Sequence, residues 1–284
     1  MPWVRLTEER LGPLLRFLGP KESGCVSFTE RLHESRRLQV PSTRSYQVIV
    51  REERPETVTG AILQGLNGVL YPVLDPAKPL VEQEAAARLQ SASRRLFSIL
   101  GRSADVAALE AVLPRRPSRQ LDYHLMSQCD PPPEPALSRV PRGMIIRRVG
   151  EESARHLFDI QKKYEIEEVL LPGNTFSPNA TMEHLRQTLR EQIVLVAELD
   201  GVPVGKVNTN ARGIFYDQVG GMFTERALRS RGIGTALMLR LLQKVAADRK
   251  TATLFVKKDN VAALRLYGGI GFSVEDEFRI TYYG

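Results

Sequence analysis

The sequence predicts an α/β protein built as two layered domains in tandem. Three observations predict it: β-type runs alternate with amphipathic helical runs in both halves, glycine-containing turns separate these runs, and a proline-rich stretch divides the chain near its middle. The 284 residues are 42% hydrophobic and 26% charged, which suits two ordinary globular domains. This composition excludes a collagen-like chain, wholesale disorder and a disulfide-dense mini-protein.

The second half of the chain, 143–284, carries most of the fold prediction. We predict strands at 144–149, 193–199, 202–208, 214–223, 253–256 and from 272 to 283, and helices at 151–169, 181–191, 232–248 and 260–267. Asp200-Gly201 is typical of a two-residue hairpin turn. Asn179 or Thr181 is the predicted cap of the second helix. The resulting order is βααβββαβαββ, which is typical of a layered α/β domain.

The first half repeats part of this order more weakly. We predict strands at 46–51, 59–63, 68–74, 95–100 and 121–126, and helices at 81–92 and 105–113. Between the halves, the three consecutive prolines at 131–133 favour an extended spacer. We therefore predict a first domain at 1–130, a proline-rich linker at 131–142 and a second domain at 143–284.

The sharpest chemical signal lies between a predicted strand and a predicted helix, at 222–236. Gly232 and Gly234 lack Cβ atoms, so the turn can expose successive backbone N–H groups at the positive end of the helix dipole. Such a site suits a diphosphate, and Arg229 and Arg231 add charged donors. The alternative is a helix start that merely tolerates glycine. The stretch lacks the GK[ST] ending of a P-loop and the third glycine of a Rossmann loop.

A second signal follows at 260–272. Asn260 can cap a helix and still offer its amide to a ligand, and Ala263 is small enough for a cofactor to lie against that helix. Tyr267 carries a phenol at the helix end. Each of these residues also has a purely structural interpretation, as a helix cap or a packed aromatic.

Taken together, R-x-x-G-x-G, a strand and then N-x-x-A-x-x-L-Y-x-x-x-G-F resemble the GNAT superfamily of acetyl-CoA-dependent N-acetyltransferases. The resemblance covers about 193–283 by motif and 144–191 by element order. It implies a mixed twisted sheet flanked by helices in each half, with a degenerate first half as in tandem GNAT-like proteins. In that half Asp75-Pro-Ala-Lys-Pro replaces the glycine loop, and its two prolines remove backbone donors, so we expect that this half does not hold CoA in the usual way.

The resemblance also implies residue roles for acetyl-CoA as co-substrate. The backbone of Met222, Phe223 and Thr224 would pair with the pantetheine amides as an added strand does. The amides that would hold the diphosphate belong to Arg229, Ser230, Arg231, Gly232, Ile233, Gly234 and Thr235. Asn260 would contact the pantetheine arm, and Tyr267 would act as general acid near the thioester sulfur. An amine acceptor would attack the thioester directly, without an acyl-enzyme.

The sequence leaves the general base open. Asp217, on the strand before the glycine loop, is one candidate. Glu165, Glu167 and Glu168 end the first helix of the second half, where GNAT proteins often form the acceptor site. Three acids in four residues are, however, more typical of a solvated helix face. A water chain to bulk solvent is the third alternative.

Charge, cysteines and hydropathy limit the partners and the location. The net charge of +7 is spread along the chain, which suits an anionic ligand but does not favour nucleic acid. Cys25 and Cys129 have no metal-ligand spacing and the four histidines form no HxH or HxxxH pair, so we expect no metal. We find no membrane-spanning stretch and no signal peptide, and expect a cytoplasmic protein with reduced thiols. The alternative to catalysis is a CoA-binding sensor or scaffold.

Overall fold

The structure is a computed structural model, and its described residues are 3–34, 37–38, 40, 46–65, 67–78, 80, 96–128, 140–170 and 173–284. The helix predicted at 81–92, most of the predicted linker and Cys129 lie outside these residues. The described residues form one large mixed sheet that carries helices on both faces, together with a separate two-stranded ribbon. The predicted α/β class is therefore confirmed.

Both halves of the chain contain strands and helices. The first half contains β1 Trp3–Arg5, α1 Glu8–Leu18, a 3-10 turn Gly19–Gly24, α2 Val26–Leu32, β2 His33–Glu34, β3 Arg37–Leu38, β4 Tyr46–Arg54, β5 Thr57–Gly65, β6 Val69–Leu74, β7 Ser98–Arg102, α3 Ser103–Val112 and β8 Arg119–Gln128. The second half contains β9 Ile145–Val149, a 3-10 turn Glu151–Ser153, α4 Ala154–Tyr164, a π-helical turn Glu165–Val169, α5 Pro178–Glu191, β10 Val194–Leu199, β11 Val202–Arg212, β12 Tyr216–Thr224, α6 Ile233–Ala247, β13 Thr251–Lys257, α7 Val261–Gly269 and β14 Phe272–Tyr282.

The two halves exchange their last strands. The strands of the large sheet lie in the order β1-β4-β5-β6-β7-β14-β8-β13-β12-β11-β10-β9. β8, which ends the first half, is antiparallel to β13 of the second half, and β14, which ends the second half, is antiparallel to β7 of the first. β8 and β14 also pair with each other. The sheet is therefore continuous across the predicted linker, and the predicted division of the chain stays a prediction.

Apolar side chains fix this exchange at the centre of the sheet. Leu125 and Met126 of β8 are buried, and Met126 belongs to the core that α6 makes with the second half. In return, Tyr283, the residue after β14, packs into the core around α3. The rings of Phe255 and Phe278, from β13 and β14, stack 4.4 Å apart across β8. Each half thus buries side chains that the other half supplies.

The side-chain alternation along β11 separates the two helical layers. A Cβ on Gly205 would touch Ile233 and Leu237 of α6, whereas the next residue, Lys206, faces Tyr164 of α4. Successive strand residues point to opposite faces of a sheet, so α6 covers one face of the second half and α4 and α5 cover the other.

Two local predictions differ from the structure, and a third is confirmed. The final ββ pair, predicted from 272 to 283, is the single long strand β14, because its residues pair with β7 and β8 rather than with each other. Ser177, not Asn179 or Thr181, caps α5, since its side chain accepts the N–H of Ala180 and Pro178 occupies the first helical position. The predicted turn at Asp200-Gly201 is confirmed, with left-handed φ angles of 49° and 78°.

The N-terminal segment holds the β11–β12 hairpin of the other half. Glu22 is 1% exposed, and its carboxylate accepts the backbone N–H groups of Ile214, at 2.6 Å, and Phe215, at 2.9 Å. A Cβ on Gly213 would collide with the same carboxylate, so this close approach requires glycine. Glu30 accepts the N–H of Arg212 at 3.0 Å. Two acidic side chains therefore accept three backbone N–H groups at the turn of this hairpin.

Candidate active site

A cleft opens where β12 and β13 stop pairing. The parallel ladder joins only Tyr216–Gln218 to Thr251–Thr253. Beyond these residues β12 continues to Thr224 and β13 to Lys257, and the two strands do not pair with each other there. On its other side, β12 still pairs with β11, where Phe223 lies opposite Lys206. The edge of β12 that includes Met222, Phe223 and Thr224 therefore faces the cleft, where an extended ligand could add a strand.

The glycine loop lies at the end of β12 and leads into α6. Gly232 is the N-terminal cap of α6 with a φ of 78°, and Ser230 is also left-handed with a φ of 61°. A Cβ on Gly234 would come 2.6 Å from the Cε of Met222, so the first turn of α6 lies directly against β12. Arg229, Ser230 and Arg231 are exposed. The loop thus presents a helix N-terminus and exposed arginines at the mouth of the cleft.

Tyr267 reaches the same cleft from α7. Its phenol donates to the Sδ atom of Met222 at 3.6 Å. Burial, together with the charge of Glu168, raises the pKa of Tyr267 to about 12, so the phenol is protonated at neutral pH. Asn260 caps α7 by accepting the N–H of Ala263 at 3.1 Å through its Oδ1, as the sequence predicts. The structure therefore brings Tyr267 and the edge of β12 together.

Asp217 lies at the wrong end of β12 to act as the general base. It is 0% exposed, and its carboxylate accepts hydrogen bonds from Lys250 at 2.9 Å and from Arg212 at 3.4 Å. Five strand residues, roughly 17 Å at ~3.3 Å per residue, separate it from Met222. Both carboxylate oxygens already have cationic partners, which gives Asp217 a structural role, and we do not retain it as the base.

The acidic run at the end of α4 is not a simple solvated face. Glu165 accepts hydrogen bonds from Gln161 and Thr181. Glu167 accepts from Arg226 at 2.9 Å and from Arg229 at 2.6 Å, and Glu168 forms an ion pair with Lys257 at 3.6 Å. The π-helical turn that carries these residues is a rare element that often marks functional sites. Through these ion pairs, the π-helical turn contacts both the segment after β12 and the end of β13.

A family model described as the acetyltransferase (GNAT) family matches residues 157–272. Those residues form a GNAT-family domain. The match runs from α4 to the first residue of β14 and includes the glycine loop, Asn260 and Tyr267. The resemblance read from the sequence is confirmed, and acyl transfer is the chemistry of this family.

Solved structures extend the likeness to the whole chain. A Drosophila protein matches with a TM-score of 0.65 at 14% identity, over 99% of this chain and 98% of its own. A tandem GNAT protein from the clavulanic acid biosynthesis pathway, solved without acetyl-CoA, matches with a TM-score of 0.59 at 18% identity, over 99% and 98%. A GCN5-related N-acetyltransferase from Kribbella flavida gives 0.55 at 15%, over 92% and 96%. The chain therefore has the fold of a tandem GNAT protein, whereas no protein with a curated description matches its sequence.

Two further findings concern the described residues alone. None of their helices has the length and apolar composition needed to cross a membrane. In these same ranges, no three His, Cys, Asp or Glu side chains come together as a metal ion would require. Cys25 carries a free thiol.

Sequence reasoning missed one residue of the GNAT domain, Lys206. Its Nζ atom donates to the carbonyl oxygen of Gly221 at 2.9 Å and to Oδ1 of Asn208 at 3.1 Å, and lies 4.5 Å from the ring centre of Tyr164. The available signal was a polar stripe at every second position of one strand, formed by Lys206, Asn208 and Asn210. A Cβ on Gly221 would overlap Asn208, which explains why that position of β12 is glycine.

Replacing Glu167 should strengthen the binding of acetyl-CoA, the co-substrate that the family resemblance implies. Glu167 holds Arg226 and Arg229, two exposed cations of the loop that would face the diphosphate. Exposed ion pairs contribute about 0.2–1 kcal/mol each, so we expect Glu167→Gln to lower the Kd for acetyl-CoA by about 2- to 5-fold at low salt. Calorimetry checks this value. Glu225→Gln is the matched control, because Glu225 pairs with Lys163 instead. Equal effects of both variants would contradict the idea that Glu167 and the diphosphate compete for the same two arginines.

Proposed function

We propose that this chain transfers an acetyl group from acetyl-CoA to an amine acceptor by direct attack in a ternary complex. One observation supports this proposal above all: the glycine loop, the unpaired edge of β12 and the phenol of Tyr267 lie along a single cleft. A loop that served only as a helix start would not need the other two features beside it.

The residues fit a nucleotide thioester as co-substrate. Backbone N–H groups of the stretch 229–235 would hold the diphosphate, because Gly232 and Gly234 allow close approach at the N-terminus of α6. Met222, Phe223 and Thr224 would pair with the pantetheine amides along the open edge of β12. The Nδ2 group of Asn260, whose Oδ1 is used in the cap, would contact the same arm beside Ala263.

Tyr267 would stabilise the charge that develops on the departing sulfur. In the structure its phenol already donates to a thioether sulfur, that of Met222, at 3.6 Å. With a pKa of about 12, full proton transfer from Tyr267 to a thiolate of pKa about 8.5 is uphill by about 5 kcal/mol. We therefore infer that the phenol acts mainly as a hydrogen-bond donor while the C–S bond breaks, and gives up its proton late.

The acceptor must lose a proton before it attacks. A lysine-like amine, with a pKa of about 10.4, costs about 4.6 kcal/mol to deprotonate at pH 7, whereas an α-amino group near 7.7–8.0 costs about 1–1.4 kcal/mol. A proton acceptor in the protein therefore matters far more for the first class of acceptor than for the second.

An amine panel tests the proposal. Purified protein is incubated with acetyl-CoA and with peptides, polyamines, amino acids or aminoglycosides, and release of free CoA is followed together with the mass of the acceptor. The expected result is CoA release that depends on one acceptor class, with a gain of one acetyl group by that acceptor. Tight binding of acetyl-CoA without release for any amine would contradict transfer and favour a CoA sensor.

A further inference from the structure

The Lys206 amine lies in the interior of the GNAT domain, and none of the described carboxylates is its partner. The residue is 2% exposed, and none of the described carboxylates forms an ion pair with its Nζ atom. Its two hydrogen-bond partners, the carbonyl of Gly221 and the amide oxygen of Asn208, are both neutral acceptors. A lysine in such a place is costly to keep charged, because burial without a counter-charge disfavours the ammonium form.

The amine and the phenol of Tyr267 lie on either side of one peptide link. Nζ of Lys206 is 2.9 Å from the carbonyl oxygen of Gly221, and the next residue, Met222, receives the phenol of Tyr267 on its sulfur. Met222 is also where the pantetheine arm is proposed to pair with β12. The reacting thioester would therefore lie between the group proposed to stabilise the leaving sulfur and the Lys206 amine.

A polar row connects this amine to solvent. Nδ2 of Asn208 donates to Oδ1 of Asn210 at 3.0 Å, and Asn210 is exposed. Cβ atoms on Gly220 or Gly221 would collide with these two amides, so the paired glycines leave the space that the row occupies. The row runs along the α4 side of β11 and links Nζ through side-chain hydrogen bonds to an exposed residue.

The other candidate bases near the cleft are already engaged. Asp217 is bound by two cations, Glu167 by two arginines, and Glu168 by Lys257. Glu165 accepts hydrogen bonds from Gln161 and Thr181. Lys206 differs from these carboxylates, because it is buried beside Gly221 of β12 and forms no ion pair with any described residue.

We propose that the Lys206 amine is the proton acceptor that activates the attacking amine of the acceptor. The inference rests on the proposed acetyl transfer and assigns a catalytic residue within it. The charge state of Lys206 then sets how fast acceptors of high pKa react.

Each proton that moves in this step has a donor and an acceptor among the reactants, Lys206, Tyr267 and water. The acceptor ammonium gives one proton to neutral Lys206, and the resulting amine attacks the thioester carbonyl. As the N–C bond forms and the C–S bond breaks, the thiolate takes a proton from Tyr267, which recovers one from the cationic nitrogen of the product through solvent. Lys206 later releases its proton to water. The net reaction converts an ammonium and a thioester into an amide, a thiol and one proton.

The electrostatics of the pocket agree with this role. Burial lowers the pKa of Lys206 to about 7, although Glu165 of the π-helical turn acts in the opposite direction. Tyr164 of α4 is the other titratable group that faces it, while β10 and β12 place Val196 and Phe223 opposite it in the sheet. The base is neutral above this pKa, so activity should rise with pH through about 7 and then level off.

The test compares two acceptors of different pKa in wild type, Lys206→Met and Lys206→Arg. General bases contribute about 10²- to 10⁴-fold, so Lys206→Met should lower kcat/KM at pH 7.5 by at least 100-fold for an amine of pKa about 10.4. For an α-amino acceptor near 7.7–8.0 the loss should stay below about 10-fold, because much of that acceptor is already neutral. Lys206→Arg should not rescue activity, since arginine keeps the donors but cannot accept a proton.

The same experiment shows how the inference would fail. Equal losses for both acceptors, rescue by arginine, or unchanged activity of Lys206→Met would overturn the base role while leaving acetyl transfer intact. Should the variants not fold, as judged by their acetyl-CoA affinity and thermal midpoint, the wild-type pH profile decides. With the acceptor of pKa about 10.4, a kcat/KM that rises with pH and levels off near pH 7 supports Lys206 as the base. A kcat/KM that keeps rising to pH 10 excludes Lys206 as the base. Absence of transfer to any amine by wild type would instead refute the proposed function.

Discussion

Residues 143–284 expressed alone are expected to lose the cooperative thermal transition of the full chain and to aggregate. The reason is the exchange of last strands, because β8 of the first half lies between β13 and β14. Without β8, both of these strands expose an unpaired edge, which is a template for aggregation. Circular dichroism during heating, with light scattering, measures the effect.

The energetic loss is large compared with the stability of a domain. Leu125 and Met126 of β8 are 1% and 4% exposed. Burying each such side chain contributes about 1.5–3 kcal/mol, and the ladder bonds are lost in addition. Against a typical total of 5–15 kcal/mol, these losses suffice to unfold the isolated half.

A chain cut between residues 139 and 140 is the matched control. Its two fragments, produced together, still contain every strand of the large sheet. We expect them to copurify and to unfold in a single transition. An isolated 143–284 that melted cooperatively at the midpoint of the full chain would show that the exchanged strand is dispensable.

Tyr267→Phe is expected to lower kcat by about 10²-fold while changing the Kd for acetyl-CoA by less than about 2-fold. The substitution removes only the phenolic hydroxyl, and the ring keeps its contact with Phe272, 5.9 Å away between centroids. A hydrogen bond to a charged group contributes about 1.5–3 kcal/mol, and this charge exists on sulfur only in the transition state. Steady-state kinetics measures the change in kcat, and calorimetry measures the change in the Kd for acetyl-CoA.

The control for this change is Tyr71→Phe. Tyr71 lies on β6 in the first half and packs, partly buried, against the core around α1 and α2. Its substitution removes the same hydroxyl group far from the cleft. We expect its kcat to match that of wild type. A Tyr267→Phe enzyme with full kcat would remove the phenol from the mechanism, and equal losses in both variants would indicate a general effect on folding.

Much of the second half could be predicted because its signals are local. The hairpin at Asp200-Gly201 depends on two residues that adopt left-handed φ angles, and the start of α6 depends on Gly232. The motif residues around Gly232 and Tyr267 come together because β12, α6 and α7 border the same cleft. Such features are set by neighbours in the sequence, which a pattern can detect.

The remaining features depend on contacts between residues distant in the chain. Pairing of β8 with β13 and of β14 with β7 joins residues more than a hundred positions apart, and no period in the sequence encodes it. The sequence does not show whether Asp217 faces solvent, because Lys250 and Arg212 pair with it only in the folded sheet. Lysine is a residue type usually found at the surface, and Lys206 is buried because α4 covers it.

The most direct test of the central claim, that the backbone around Gly232 holds the diphosphate of acetyl-CoA, is a calorimetric titration of three proteins. Gly232→Asp places a carboxylate at the helix N-terminus, and Gly201→Asp makes the same change at an equal φ of 78° in an exposed turn. The account predicts binding by wild type and Gly201→Asp, and at least about 30-fold weaker binding by Gly232→Asp, equivalent to about 2 kcal/mol. Equal affinities for all three proteins, or no binding by wild type, would contradict it.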